Sequence, residues 1–289
     1  MKTCKDCGTE ALNEKQKICF ECDRPFRRPL FEPKQGTVAM RSNKFAELTA
    51  YCEVIDNSIE ADASDVRIKM EHDGRHIIAL AFGDDGCGMD HDTLEGCLSI
   101  GGSTRAGDQS ESGLGRFGVG MKFAAWNQCK RCSVWSKTKG GGWTYTYADI
   151  DEIERGEMED LPEPISQDPP PQYSNLVGKD QGTLVLWEKY DGLKMSLSQL
   201  QKEIPIYLGR TYRYFMWNEG PEGESIPGRT RPLRIYFDGE ELHTLDPLYS
   251  NTSKNRFPDD PISKVYDTMT FPWPVDVHNI KNPDPPEDS

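Results

Sequence analysis

The chain has 289 residues, 36% hydrophobic and 28% charged, with a formal net charge of −14. That is enough chain for one large or two medium domains with a real core, and too apolar a composition for disorder. No apolar run approaches the ~20 residues of a bilayer span, the start MKTCKDCGTE lacks a signal peptide's apolar core, and the acidic balance argues against a general electrostatic grip on nucleic acid.

Charge is unevenly spread. Arg24, Arg27 and Arg28 mark a basic N-terminal region, while 257–289 is mostly acidic. The ordinary reading is a solvated surface, with a small nucleic-acid contact near the N-terminus as the alternative. The protein is expected in the cytosol, where thiols stay reduced, with no membrane partner.

Cys4, Cys7, Cys19 and Cys22 form a C-x2-C-x11-C-x2-C array. Two such turns can present four thiolates to one Zn2+ in tetrahedral geometry. A segment this small cannot fold on its own core, so zinc would supply folding energy. Four unrelated thiols or two disulfides are the alternatives. The array resembles a zinc ribbon over residues 1–32. Cys129 and Cys132 have no second pair nearby and read as buried thiols, as do Cys52, Cys87 and Cys97.

Pro33-Lys34-Gln35-Gly36 reads as a linker. Phe45, Leu48, Cys52, Ile55 and Ile59 then recur at spacings of three and four, the apolar stripe of a helix. Glu53, Asn57 and Glu60 share another face of it. Val66, Ile68 and Met70 alternate with Arg67 and Lys69 as a strand, and HIIALAF (76–82) returns as a second one. It runs into Asp84-Asp85-Gly86-Cys87-Gly88-Met89, a D-x-G-x-G turn. Alternate glycines there let a ligand approach the backbone, and Asp84 can accept hydrogen bonds from a flat heterocycle.

Ser99 to Ala125 carries seven glycines and Lys122, yet no G-x-x-x-x-G-K-[ST]. It therefore differs from the common P-loop. Farther on, 133–136 and 143–147 read as a hairpin, 161–172 (LPEPISQDPPPQ) as a loop, and QGTLVLWEKY (181–190) as a strand. Leu197, Leu200, Ile204, Leu208, Tyr212 and Phe215 follow a helical stripe that Pro205 should kink. Leu233–Phe237 with Asp238-Gly239 suggests another hairpin, and NPDPPEDS closes the sequence as a disordered-looking tail, as in a piece of a longer protein.

Helix, D-x-G-x-G and a long glycine loop ending in LGRFGVGMK, in that order, resemble the GHKL ATPases (gyrase, the large heat-shock chaperone, histidine kinases and MutL). The wording CEVIDNSIEADA, DDGCGM and GRFGVGMKFAA is most similar to the MORC group. The resemblance implies an α+β fold, a two-layer α/β sandwich of the Bergerat type over 36–190. The zinc ribbon would precede it, and part or all of a transducer-like domain would follow over 195–289.

The resemblance also implies roles. Glu53 would be the general base that deprotonates the attacking water, Asn57 the Mg2+ ligand and Asp84 the adenine contact. Asp62, Gly86, Gly88, Met89 and Thr183 would complete the nucleotide's surroundings. Gly101, Ser103 and Thr104 would form the mobile half of a lid; Gly115, Gly118, Val119, Gly120 and Lys122 would meet the phosphates. A γ-phosphate lysine is not singled out among Lys189, Lys194 and Lys202.

The implied activity is slow Mg2+-dependent ATP hydrolysis coupled to lid closure and nucleotide-driven homodimerisation, acting on an unidentified client protein or nucleic acid. The alternative is a non-hydrolysing ATP sensor. A histidine kinase would share the pocket, but none of His72, His76, His91, His243 and His278 has phosphoacceptor surroundings.

Overall fold

The structure is a computed structural model that describes residues 7, 9–10, 21, 33–42, 46–99, 120–192, 195–221 and 223–247. In chain order these form α1 (Pro33–Ser42), α2 (Glu47–Glu60), β1 (Asp65–His72), β2 (Ile77–Asp84), α3 (His91–Gly96), α4 (Gly120–Gln128), β3 (Cys129–Lys137) and β4 (Thr144–Asp149). There follow α5 (Ile150–Arg155), β5 (Ile165–Ser166), β6 (Gly182–Tyr190), α6 (Leu197–Thr211), α7 (Arg213–Trp217), β7 (Arg234–Phe237) and β8 (Glu240–Glu241). The strands make one mixed sheet in the order β5-β4-β3-β6-β2-β1-β7-β8. β1 and β7 are parallel, and the other pairs are antiparallel. The fold is α+β.

One face of the sheet carries the main core. Val66, Ile68, Leu80, Phe82, Val134, Val185 and Trp187 meet Tyr51, Ile55 and Ile59 of α2, Ala124 and Ala125 of α4, and Leu200, Ile204 and Leu208 of α6. Tyr51, Phe82 and Trp187 form a ring cluster with centroids 5.0–5.9 Å apart. Such pairs add about 0.5–1.5 kcal/mol each beyond their area burial. This cluster seats α2 firmly on β2 and β6. The opposite face is covered only in part, where Tyr173 and Leu176 lie over Ala79, Ala81, Leu184 and Leu186. A cavity of about 590 Å³ remains beside them, lined by Arg131, Trp135, Tyr145, Glu188 and Lys189 among others.

The segment read as a linker is the first turn of α1. Proline suits a helix's first turn, where its missing N–H costs no bond. Long-range contacts hold the helix: Arg41 donates to the carbonyls of Trp126 (2.8 Å) and Cys129 (3.0 Å) and pairs with Asp191 at 2.5 Å, while Asn127 donates to the Met40 carbonyl at 3.1 Å. Pro205 lies within α6, which continues to Thr211, and the helical run breaks at Tyr212. The Pro-rich loop contains the short edge strand β5. Cys129 and Cys132 are fully buried, as expected, but Cys87 is exposed rather than part of the core.

Residues 197–242, part of the stretch 195–289 expected to form a transducer-like domain, add α6, α7, β7 and β8 to this sheet and core. The compact unit runs to Leu245. At the β7–β8 turn Asp238 and Gly239 both take positive φ (49° and 90°), which matches the twist of a two-residue hairpin. Asp238 Oδ1 also accepts from the Met70 N–H at 2.8 Å, so the turn is tied to β1.

Candidate functional site

Asp84 ends β2 with its side chain turned inward, 6% exposed. Its Oδ2 accepts from Ser58 Oγ at 2.9 Å; its Oδ1 accepts from the N–H groups of Gly86 (2.9 Å) and Thr183 (3.1 Å). Burial pushes the carboxyl up to about 6, although these three donors pull the other way. A buried carboxylate must be hydrogen-bonded to persist. Here α2, the turn after β2 and the start of β6 each contribute one donor.

The rest of the D-x-G-x-G turn is sewn to the end of α2. The Cys87 N–H donates to the Ala61 carbonyl at 2.9 Å, and Asp85 Oδ1 accepts from the Ser64 (2.7 Å) and Asp65 (2.8 Å) N–H groups. Gly88 has φ +71°, and a Cβ there would strike the Lys137 carbonyl. Only glycine meets both conditions. The Met89 N–H donates to Ser136 Oγ at 2.7 Å, and that hydroxyl lies 3.0 Å from Thr183 Oγ1. Asp62, exposed and at φ +55°, turns the chain out of α2.

Glu53 stands on the same helix, five residues before Ser58, which is about 7.5 Å along the axis. Burial raises its carboxyl above the ordinary range, and the charge of Asp56 adds to that. Asn57, one turn on and exposed, donates from Nδ2 to the Glu53 carbonyl at 2.8 Å. That bond turns its Oδ1 into the amide's remaining polar atom. Gly120, the first residue of α4, lies so close that any Cβ on it would strike Glu53 Oε2. Lys122 is buried at 4% exposure with Nζ donating to the Ser99 carbonyl, and burial lowers its pKa.

The structure thus brings Gly120 against Glu53 in the middle of α2, one turn before Asn57, and gathers Asp84, Gly86, Met89 and Thr183 beside Ser58 in its last turn. Gly101, Ser103, Thr104, Gly115, Gly118 and Val119 lie outside the described residues, as do Cys4, Cys19, Cys22 and Lys194. Cys7 is exposed, with Sγ 3.2 Å from Thr9 Oγ1. Among the described residues no group of three or more His, Cys, Asp or Glu could hold a metal ion, and no helix is long and apolar enough to cross a membrane. Lys189 is engaged by Asp149 (2.8 Å) and Asp151 (2.9 Å), and Lys202 is exposed on α6.

Sequence reasoning missed Ser58, Asp85 and Ser136. Ser58 did leave a signal: a small polar residue buried between Ile55 and Ile59, where the helix turns its apolar side inward. Such a group needs a partner. Nothing local to the sequence pointed to Ser136.

Residues 46–183 match a family model described as "Histidine kinase-, DNA gyrase B-, and HSP90-like ATPase", so this stretch is a GHKL-type ATPase domain. No curated protein matches the chain. Among solved structures, the ATPase and transducer domains of DNA topoisomerase II from Balamuthia mandrillaris are similar, with a TM-score of 0.44 and 16% identity. The match covers 68% of this chain and 48% of that one, so this chain spans about half the length of that relative.

Proposed function

We propose that the domain binds Mg-ATP along α2, with adenine at Asp84 and the phosphates at Glu53 and Asn57, and hydrolyses it slowly. The supporting observation is the buried Asp84 carboxylate, held by Ser58 on the helix that also carries Glu53 and Asn57. Asp84 would accept from the adenine amino group. Glu53 would take a proton from a water aligned with the γ-phosphate. Its raised pKa suits that work, since a base nearer neutrality accepts a proton more readily in the transition state.

The site fits Mg2+ through one protein oxygen. Asn57 commits its Nδ2 to the helix and keeps a hard carbonyl oxygen outward. When bound, the ion would offset charge developing on the phosphates. In the same reading, 101–119 closes over the nucleotide, closure favours a homodimer, and 195–289 relays the change to a client as a MORC-like transducer. The N-terminal cysteines supply a thiolate set suited to about one structural Zn2+, countable by elemental analysis.

Phosphate release by the wild type and by Glu53→Ala tests the reading. Loss of the base should cut turnover by roughly 10²–10⁴-fold while Mg-ATP still binds. Equal rates in the two proteins would make the domain a non-hydrolysing sensor.

A further inference from the structure

Downstream of β6 the chain returns to α2 along its whole length. The Met195 N–H donates to Glu47 Oε1 at 3.1 Å at the helix start. The Tyr212 hydroxyl lies 3.1 Å from the Cys52 carbonyl and 2.7 Å from Asp56 Oδ1 at its middle. Arg229 donates to the carbonyls of Ile59 (3.4 Å) and Ala63 (2.8 Å) at its end. Of these contacts, that of Tyr212 brackets Glu53 itself. Cys52 supplies the carbonyl immediately before Glu53, and Asp56 is its neighbour one turn later, on the same side of the helix.

We infer that Tyr212 is a positioning residue for the proposed hydrolysis, its hydroxyl fixing the turn of α2 that aims Glu53. The role rests on the reading of Glu53 as general base. A hydroxyl has one proton, so the two acceptors share it, with the shorter branch going to Asp56. Tyr212 is 2% exposed at the point where the helical run of α6 and α7 breaks. It packs against Phe215, centroids 6.4 Å apart, so the ring stays where the hydroxyl is needed. Residues 195–242 would thereby set the geometry of the base as well as extend the sheet. The ordinary alternative is a buried tyrosine whose O–H merely requires a partner. That role would affect stability but not turnover of the folded protein.

The two roles separate on the full chain by measuring phosphate release, Mg-ATP affinity and thermal stability for the wild type, Glu53→Ala, Tyr212→Phe, Asp56→Ala and the Tyr212→Phe/Asp56→Ala double variant. Tyr212→Phe keeps the ring and removes only the hydroxyl. It should lower kcat about tenfold and leave affinity within about twofold, because misaligning a base costs rate rather than ground-state binding. The double variant should lose no more than the worse single one. A folded Tyr212→Phe with wild-type kcat overturns the role, as do losses that multiply in the double variant. Should Tyr212→Phe not fold, Asp56→Ala decides alone: wild-type kcat there also overturns it. If Tyr212→Phe matches a wild type whose turnover depends on Glu53, only the positioning role falls. A wild type without Glu53-dependent release removes the hydrolysis reading and this role with it.

Discussion

The two polar groups along α2, at Glu53 in its middle and at Asp84 beside Ser58 in its last turn, are built differently. At Asp84 the carboxylate is closely held: three donors meet it, Asp85 holds the start of β1, and Gly88 is pressed against Lys137. Around Glu53, in the middle of the helix, the carboxylate is half-buried, the Asn57 amide one turn on is exposed, and the first residue of α4 stands close to the carboxylate. A preorganised acceptor suits recognition of a flat base, which needs fixed geometry and little rearrangement. A more open setting suits a reacting group, whose neighbours must admit water and phosphate. On this contrast, damage around Asp84 should weaken binding, and damage around Glu53 should slow turnover.

Gly120→Ala is the strongest test of the second half. The new methyl would push Oε2, the free end of a flexible side chain, so the fold should tolerate it while the base is displaced. Turnover should fall by roughly 10–10²-fold, more than Mg-ATP affinity does, Gly120 being also one of the residues expected at the phosphates. Phosphate release at the wild-type rate would mean that α4 does not set the position of Glu53.

Asp84→Asn tests the first half. Loss of a buried charged acceptor costs about 1.5–3 kcal/mol, roughly ten- to a hundredfold in ATP affinity. Calorimetry on a folded variant that binds like the wild type would remove the adenine site from this turn.

pH gives a subtler version of the same test. The carboxyl of Asp84 sits near 6, above its ordinary 3.8. Its contribution to folding stability is therefore full below about pH 4 and lost as pH rises through about 6. Adenine binding runs the other way, because the acceptor must be ionised. ATP affinity should fall about tenfold for each unit below pH 6 in the wild type and stay flat in Asp84→Asn. A flat wild-type profile would count against the contact.

Ser58→Ala should have the smallest effect. It removes one donor of three and should cost about 1 kcal/mol, roughly fivefold in affinity, without changing kcat. A turnover defect at unchanged affinity would blur the division between the Asp84 and Glu53 groups.

How much of this was legible depended on whether the signal was local. The helical stripe from Leu48 to Ile59, the strand alternation at 66–70 and the D-x-G-x-G turn all express periods or turns within a few residues, and each was found where expected. The order of helix, turn and glycine loop also carried the resemblance to a nucleotide site, although most of that loop lies outside the described residues. The misreadings came where distant residues override local preference. Pro33-Lys34-Gln35-Gly36 has a linker's composition, yet it becomes a helical turn because Arg41 anchors α1 on α4 and β3, more than 80 residues away.

Sequence alone therefore determined the elements with a local period or turn, such as Leu48–Ile59, 66–70 and Asp84–Met89, since steric limits and hydrophobic periodicity act over neighbouring residues. Tertiary structure decided which groups meet. Ser58 finds Asp84, Gly120 abuts Glu53, Tyr212 reaches Cys52 and Asp56, and β7 joins β1 in parallel. Those meetings depend on strand register and on how helices seat on the sheet. Both are set by burial of the whole apolar surface at once, so no short stretch of sequence encodes them.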